Sequence, residues 1–230
     1  DSSSDGLRWH MHWADYTAQR LMERGGRQVA ASGITPSGDF HIGHLREILS
    51  AEMIHRACID AGIESKYIFI VDSMDPLRRV YDFLSPEYER YIGHPLAYIP
   101  APDHDGKPIE GGRTYAEHFL DPFLGALKEI GVIPEVVMNH ETYETGKFAE
   151  YIDSAISKKD EIERIIRDIA GRDLDGEWFP YNPIGSDGSM DGVTVTGYEK
   201  PFVHWIDSHG IEGRSDIRKA EGKMPWRIDW

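Results

Sequence analysis

The sequence predicts an α/β fold organised on a parallel sheet, and three features of residues 28–71 predict it. Val29-Ala30-Ala31 begins a short apolar run of strand character. The run passes through Gly33, Pro36 and Gly38, which interrupt any regular element, into residues 42–61. There Ile42, Leu45, Leu49, Met53, Ile54, Ala57 and Cys58 recur at helical spacing. A second apolar run, Tyr67-Ile68-Phe69-Ile70-Val71, ends at Asp72. Strand, glycine turn, helix and strand make one βαβ unit of a Rossmann-like parallel sheet, with the turn at the carboxyl end of its first strand. Open α/β sheets bind ligands at that edge, where a helix N-terminus offers N–H groups and partial positive charge to a phosphate.

Around this unit the remaining elements follow in order. Residues 1–10 read as a polar, flexible extension, and 12–24 as a helix (Trp13, Tyr16, Ala18, Leu21, Met22) stopped by Gly25-Gly26 and packed beside the first strand. His10 and His12 lack a Cys or carboxylate at ligand spacing and are not read as a metal site. Asp72 and Asp75 stand at the end of the second strand, and Asp75 is expected to cap a helix over 76–83 with Pro76 at its first position. Residues 84–112 are rich in Pro, Gly and His and leave the nucleotide fold. Residues 115–130 (Phe119, Phe123, Leu124, Leu127) predict a helix, and 132–138 a third strand. A single amphipathic helix is expected over 148–170, with Ile152, Ile156, Ile162, Ile165, Ile166 and Ile169 facing inward. Residues 178–224 read as a small β-rich unit held by Trp178, Tyr198, Phe202 and Trp205, and 225–230 as a strand returning to the main sheet. The expected divisions are an extension (1–10), the first half of the nucleotide fold (11–83), the start of an insertion (84–112), mixed elements continuing both (113–177), the β unit (178–224) and the returning strand (225–230).

Two histidines sharpen the turn. His41 and His44 are three residues apart at the helix start, so both side chains share one face. Imidazoles there can donate to phosphate oxygens and stabilise charge as phosphorus is attacked. The competing reading is that both residues only cap the helix.

Composition bounds the rest. The 230 residues suit one large domain or one domain with an insertion. No stretch approaches the apolar length of a membrane span, and the lone Cys58, among apolar helix positions, reads as a small core residue. The expected setting is cytoplasmic, with no membrane partner. Forty Asp and Glu against twenty-five Lys and Arg give a net charge of −15, which argues against a generally basic nucleic-acid surface.

Pro36-Ser37-Gly38-x-x-His41-Ile42-Gly43-His44 resembles the HIGH signature of class I aminoacyl-tRNA synthetases. With Met11-His12-Trp13-Ala14-Asp15, Ala31-Ser32-Gly33-Ile34-Thr35, Leu45-Arg46-Glu47-Ile48-Leu49, Asp75-Pro76-Leu77-Arg78 and Trp226-Arg227-Ile228-Asp229-Trp230, the chain resembles the archaeal-type class I lysyl-tRNA synthetases from residue 11 onward. The resemblance implies a class I synthetase fold of HUP type, a Rossmann-like sheet with an inserted α+β connective domain. It implies activation of L-lysine by ATP, with Mg2+ accompanying the ATP, to lysyl-adenylate, and transfer to the acceptor end of tRNA(Lys). His41 and His44 would be catalytic; Pro36, Ser37, Gly38, His41, Gly43 and His44 would hold ATP. Gly33 and Thr35 would hold the lysine amino and carboxylate groups, and Asp229 and Trp230 its ammonium. Matching positions in the family carry two Cys-x-x-Cys zinc knuckles; here they read Ile184-Gly185-Ser186-Asp187-Gly188 and Ile206-Asp207-Ser208-His209-Gly210, so no structural zinc is expected. No Lys-rich KMSKS-type loop or helical anticodon-binding domain is recognised, Glu221-Gly222-Lys223-Met224-Pro225 lying in the wrong place for the former. The expectation is a truncated form of weak activity. An HxGH adenylyltransferase and a non-catalytic binding paralogue or fragment are the alternatives.

Overall fold

The computed structural model describes residues 11–171, 173–174, 176–225 and 227–230; the expected extension, His10 and Trp226 lie outside the described residues. The chain divides into two compact units, one of residues 11–34, Gly38–Val71 and Leu120–Val137, the other of Thr35–Ser37, Asp72–Phe119 and Met138–Trp230.

The first unit holds α1 (Trp13–Arg24), β1 (Gln28–Ile34), α2 (Ile42–Asp60), β2 (Ser65–Val71), most of α3 (Tyr115–Glu129) and β3 (Glu135–Met138). The strands form a Rossmann-like sheet in the order β1-β2-β3, and β1 pairs in parallel with β2 from Gln28 opposite Ser65 to Ile34 opposite Val71. The predicted βαβ unit is therefore present. Alternation along β2 buries Tyr67, Phe69 and Val71. The one polar tip among them is satisfied, since Ser32 Oγ lies 2.7 Å from the Tyr67 hydroxyl, which donates to the Ile48 carbonyl. Burial pushes that phenol up to about 12.

α1 is capped by His12, whose Nδ1 accepts the Ala14 N–H, and stops at Gly25, where φ is +76°. Its Ala14 and Ala18 pack on Ala57 and Cys58, small residues that let α1 approach α2; the helix partner is α2, where the sequence suggested β1.

In the second unit, residues 76–83 are not helical. The Leu77 N–H donates to the His94 carbonyl, the Gly93 N–H donates back to Leu77, and Pro76 bridges Pro95. Pairing with residues 93–95 satisfies the backbone that a helix would have satisfied internally. Asp75 consequently caps no helix; it takes the Arg78 guanidinium at 2.9 Å. Leu77, Tyr88, Leu96, Ile99 and Tyr115 form the core beneath this excursion.

The long helix expected over 148–170 is two helices, α5 (Ala149–Ser157) and α6 (Lys159–Asp168), preceded by the short α4 (Asn139–Glu144). Lys158, with φ −107° and ψ 18°, breaks the run and resets its helical phase. Ile152 and Ile166 are buried, but Ile165 and Ile169 are 45% and 81% exposed, against the inward face predicted for them.

Within residues 178–224 the chain forms an antiparallel sheet of β5 (Thr194–Glu199), β6 (Phe202–Ile206) and β7 (Glu212–Asp216), with the two-residue pair β4 (Asn182–Pro183) and β8 (Gly222–Lys223). Trp205 anchors it: its indole donates to Ser215 Oγ, and Gly213 leaves the space its ring fills. Tyr198 and Val203 join the core with Tyr143, Ile152 and Tyr181, whereas Trp178 lines a separate cleft. The described part of 225–230 is a turn, not a returning strand. Ile228 N–H donates to Pro225 and Trp230 N–H to Arg227, and Arg227 itself has φ +56°, a left-handed conformation that no extended strand contains.

Candidate functional site

In the first unit, the chain leaves β1 at Ile34 and re-enters regular structure at α2. His41 is the N-cap of α2, its backbone extended at φ −132°, and its Nδ1 accepts the Gly43 N–H at 3.1 Å. The His41 N–H donates in return to His44 Nδ1 at 3.0 Å, closing a reciprocal capping box made of two imidazoles. The rings sit 4.0 Å apart, and Phe40 meets His44 edge-on. Because both Nδ1 atoms accept, a neutral ring carries its proton on Nε2, and both Nε2–H groups remain as donors. Burial, with the neighbouring His41, moves His44 below the ordinary histidine value. A Cβ on Gly43 would meet His41 Cε1 at 2.8 Å, so glycine there lets the cap close. The capping reading of these histidines and the functional one are thus compatible: the caps aim the donors.

Gly33 is buried at the end of β1, and its N–H faces Glu47 Oε1 at 3.4 Å. Gly38 begins the return to the first unit. Thr35, Pro36 and Ser37 belong to the second unit, fastened where the buried Tyr115 donates its hydroxyl to the Ser37 carbonyl at 2.5 Å.

The second unit contains a cavity of about 750 Å3 lined in part by Thr35, Asp72, Asp75, Arg78, Lys223 and Trp230. Two of the predicted amino-acid contacts, Thr35 and Trp230, therefore border one space. Asp229 does not border it: the residue is 5% exposed, and its Oδ2 already accepts from Tyr143 and from the Lys223 ammonium, both at 2.7 Å. Asp72 is the carboxylate at the wall, its Oδ2 accepting the Trp230 indole N–H at 3.2 Å. Burial and the charge of Asp72 raise Asp75 above the usual carboxylate range, opposed by Arg78 and Lys223. Lys223 reaches the cavity because β8 pairs Lys223 with Asn182, and burial, which alone would lower its pKa, is outweighed by Asp72 and Asp229. Sequence reasoning missed Lys223 and Tyr143. Tyr143 meets Asp229, and Lys223 meets Asp72, across long stretches of chain, and no local pattern marks them; Asp72, at a strand end, did carry a positional signal.

The turns at the zinc-knuckle positions do not fit zinc. Asp207 Oδ2 accepts from both the backbone N–H and the hydroxyl of Ser186, and Oδ1 accepts from His209 and Ile211 N–H groups at 3.0 Å. Asp187 takes the Ser189 N–H and faces His209 Nε2 at 3.2 Å. The two turns are clasped directly by carboxylates already engaged in hydrogen bonds, a donor set without the thiolates a tetrahedral zinc site favours. Among the described residues, the group with metal-capable geometry is the contiguous Asp103, His104 and Asp105, where the Asp103 carboxylate already accepts two backbone N–H groups.

A capped histidine pair at the end of the first strand of a parallel sheet fits the class expected from the motifs, the class I aminoacyl-tRNA synthetases. The chain belongs to the family described as tRNA synthetases class I (K), whose model matches residues 11–230. It is 40% identical over 221 residues to a lysine-tRNA ligase of Picrophilus torridus and 39% identical over 221 residues to one of Thermoplasma acidophilum. It is also 40% identical over 223 residues to one of Archaeoglobus fulgidus. Each alignment covers 96% of this chain, and 42%, 42% and 43% of the respective relatives. The chain thus spans about two fifths of the length of these relatives. Membership of a synthetase family sets aside the adenylyltransferase alternative. Among the described residues no helix is long and apolar enough to cross a membrane.

Proposed function

We propose that this chain carries the part of a lysine-tRNA ligase that binds ATP and L-lysine and supports formation of lysyl-adenylate. The carrying observation is the reciprocal cap of His41 and His44, which leaves two Nε2–H donors beside a helix N-terminus. The lysine carboxylate attacks the α-phosphorus of ATP; the carboxylate oxygen–phosphorus bond forms as the bond to pyrophosphate breaks. No protein nucleophile is needed, so catalysis rests on positioning and charge stabilisation. In the first unit, His41 and His44 with Gly38 and Gly43 contact the ATP phosphates, with Mg2+ accompanying the nucleotide, and Gly33 contacts the amino acid. In the second unit, Pro36 and Ser37 contact ATP, Thr35 contacts the amino acid, and Trp230 provides a flat wall for its aliphatic stem and ammonium.

The transfer to tRNA(Lys) is the second step of the proposed reaction, made at the acceptor end; the acidic charge balance supports weak contact with the nucleic acid. The protein acts without structural zinc, its β unit being clasped by Asp207, and its expected setting is the cytoplasm.

Lysine-dependent exchange of labelled pyrophosphate into ATP tests this reading, alongside calorimetric titration with a non-hydrolysable lysyl-adenylate analogue. Binding of the analogue in preference to other aminoacyl analogues, with slow exchange, is the expected result. Absence of both overturns it in favour of a non-catalytic module.

A further inference from the structure

Lys223 is 4% exposed and stands between two carboxylates that are equally buried, Asp72 at 4% and Asp229 at 5%. Its Nζ lies 2.7 Å from Asp229 Oδ2 and 3.3 Å from Asp72 Oδ1, and donates also to the Met224 carbonyl at 3.2 Å. Asp72 Oδ1 and Asp229 Oδ1 accept no hydrogen bond from any described residue, so for Asp72 Oδ1 the ammonium is what compensates its burial. The remaining oxygens reach outward in two directions. Asp72 Oδ2 holds the Trp230 indole, and Asp229 Oδ2 is held by Tyr143. Lys223 is the node joining these two arms.

Charge at this place is not balanced. The carboxylates at or behind the cavity are Asp72, Asp75, Asp191 and Asp229, and the cations are Lys223, Arg78 and Arg227. Arg78 is paired with Asp75, and Arg227 lies over the Trp230 ring at 4.6 Å. One negative charge is left over in the sum, and within the buried Asp72–Lys223–Asp229 group a single ammonium serves two carboxylates.

We propose that Lys223 is a positioning residue of the amino-acid cavity. Its ammonium pairs with Asp72 and Asp229 at once, aims Asp72 at the Trp230 indole, and so presents one uncompensated negative charge to a cationic side chain. This rests on the reading of the cavity as the place of the amino acid. Without the ammonium, two buried carboxylates a few ångströms apart cannot both stay ionised near neutrality, and one takes up a proton. Arginine at this position would keep the charge. Replacing Asp229 by Asn together with Lys223 by Met would remove one charge of each sign and preserve the balance.

The test is calorimetric titration of the chain with non-hydrolysable lysyl- and norleucyl-adenylate analogues from about pH 6 to about pH 8.5, the two ligands differing by the ammonium group. For the wild-type chain, lysyl preference should be nearly flat across this range. In Lys223→Met the proton taken up can settle on Asp72 and remove the charge at the cavity wall, so this variant should weaken the lysyl analogue at the acid end and introduce a pH dependence of about tenfold, the equivalent of one pKa unit. Lys223→Arg and the double variant Lys223→Met/Asp229→Asn should restore a flat profile. The double variant also supplies the answer should Lys223→Met alone fail to fold. A uniform loss at every pH, or a double variant as pH-dependent as the single one, overturns the positioning role. If the wild-type chain shows no preference for the lysyl analogue, the reading of the cavity fails, and the proposal with it.

Discussion

The Tyr143 hydroxyl donates to Asp229 Oδ2 at 2.7 Å while accepting the Met224 N–H at 2.9 Å, tying α4 to residues more than eighty positions further on. Tyr143 is wholly buried, and burial with the adjacent Asp229 drives its pKa far above the ordinary phenol value, so it stays a neutral phenol that donates to the carboxylate. Tyr143→Phe keeps the ring but leaves an orphaned N–H and a carboxylate short of one donor. The expected cost is about 1–3 kcal/mol of stability, read as a lower midpoint in denaturant with unchanged slope. A midpoint equal to wild type would mean that the hydroxyl is dispensable.

The histidine cap makes a prediction for the chemistry. His41→Ala or His44→Ala should each cost about 2–4 kcal/mol in the transition state for pyrophosphate exchange. Each should also lower helix stability by about 1 kcal/mol, since each removes one half of a cap. The pH dependence follows from His44. Its folded value lies below the ordinary histidine value of 6.5, so its contribution to stability is complete above 6.5 and is lost as pH falls through the folded value, when protonation of Nδ1 breaks the bond from His41 N–H. Equal exchange rates in wild type and a variant carrying both His41→Ala and His44→Ala would sink the assignment.

The Asp207 clasp predicts a metal-independent, acid-sensitive β unit. Four hydrogen bonds to its carboxylate, that from the Ser186 hydroxyl foremost, depress Asp207 to about 2. Its contribution is present above the unfolded value near 3.8 and is lost as pH falls toward about 2. Chelator should leave the melting temperature unchanged, and metal analysis should find well under one zinc per chain. Asp207→Ala should lower the melting temperature and flatten its acid dependence. Stoichiometric zinc lost together with fold would reverse this conclusion.

Gly222 abuts Tyr181. A Cβ there would come within 2.4 Å of Tyr181 Cζ, and the ring is wholly buried. Gly222→Ala should cost about 1–3 kcal/mol through overpacking. Because the next residue is Lys223, binding of the lysyl-adenylate analogue should weaken as well. Gly25→Ala, at a helix end where added atoms meet nothing, is the control for strain without crowding.

Sequence alone determined the βαβ unit, because its apolar periodicities switch from strand to helix to strand and its glycines fall between them. It also determined the histidine pair, since a three-residue spacing at a helix start fixes a shared face, and the missing zinc ligands, since no fold can supply absent thiols. Tertiary structure decided the rest. Residues 76–83 carry helix-start signals, yet residues 93–95 compete for their backbone groups and win. The isoleucines of 148–170 keep one helical phase in the sequence, and a break at Lys158 divides them between core and solvent. Asp229 looked like a ligand-facing carboxylate and is instead enclosed by Tyr143 and Lys223, because a charge that leaves water must find its partners inside, and one of them, Tyr143, comes from a distant part of the chain.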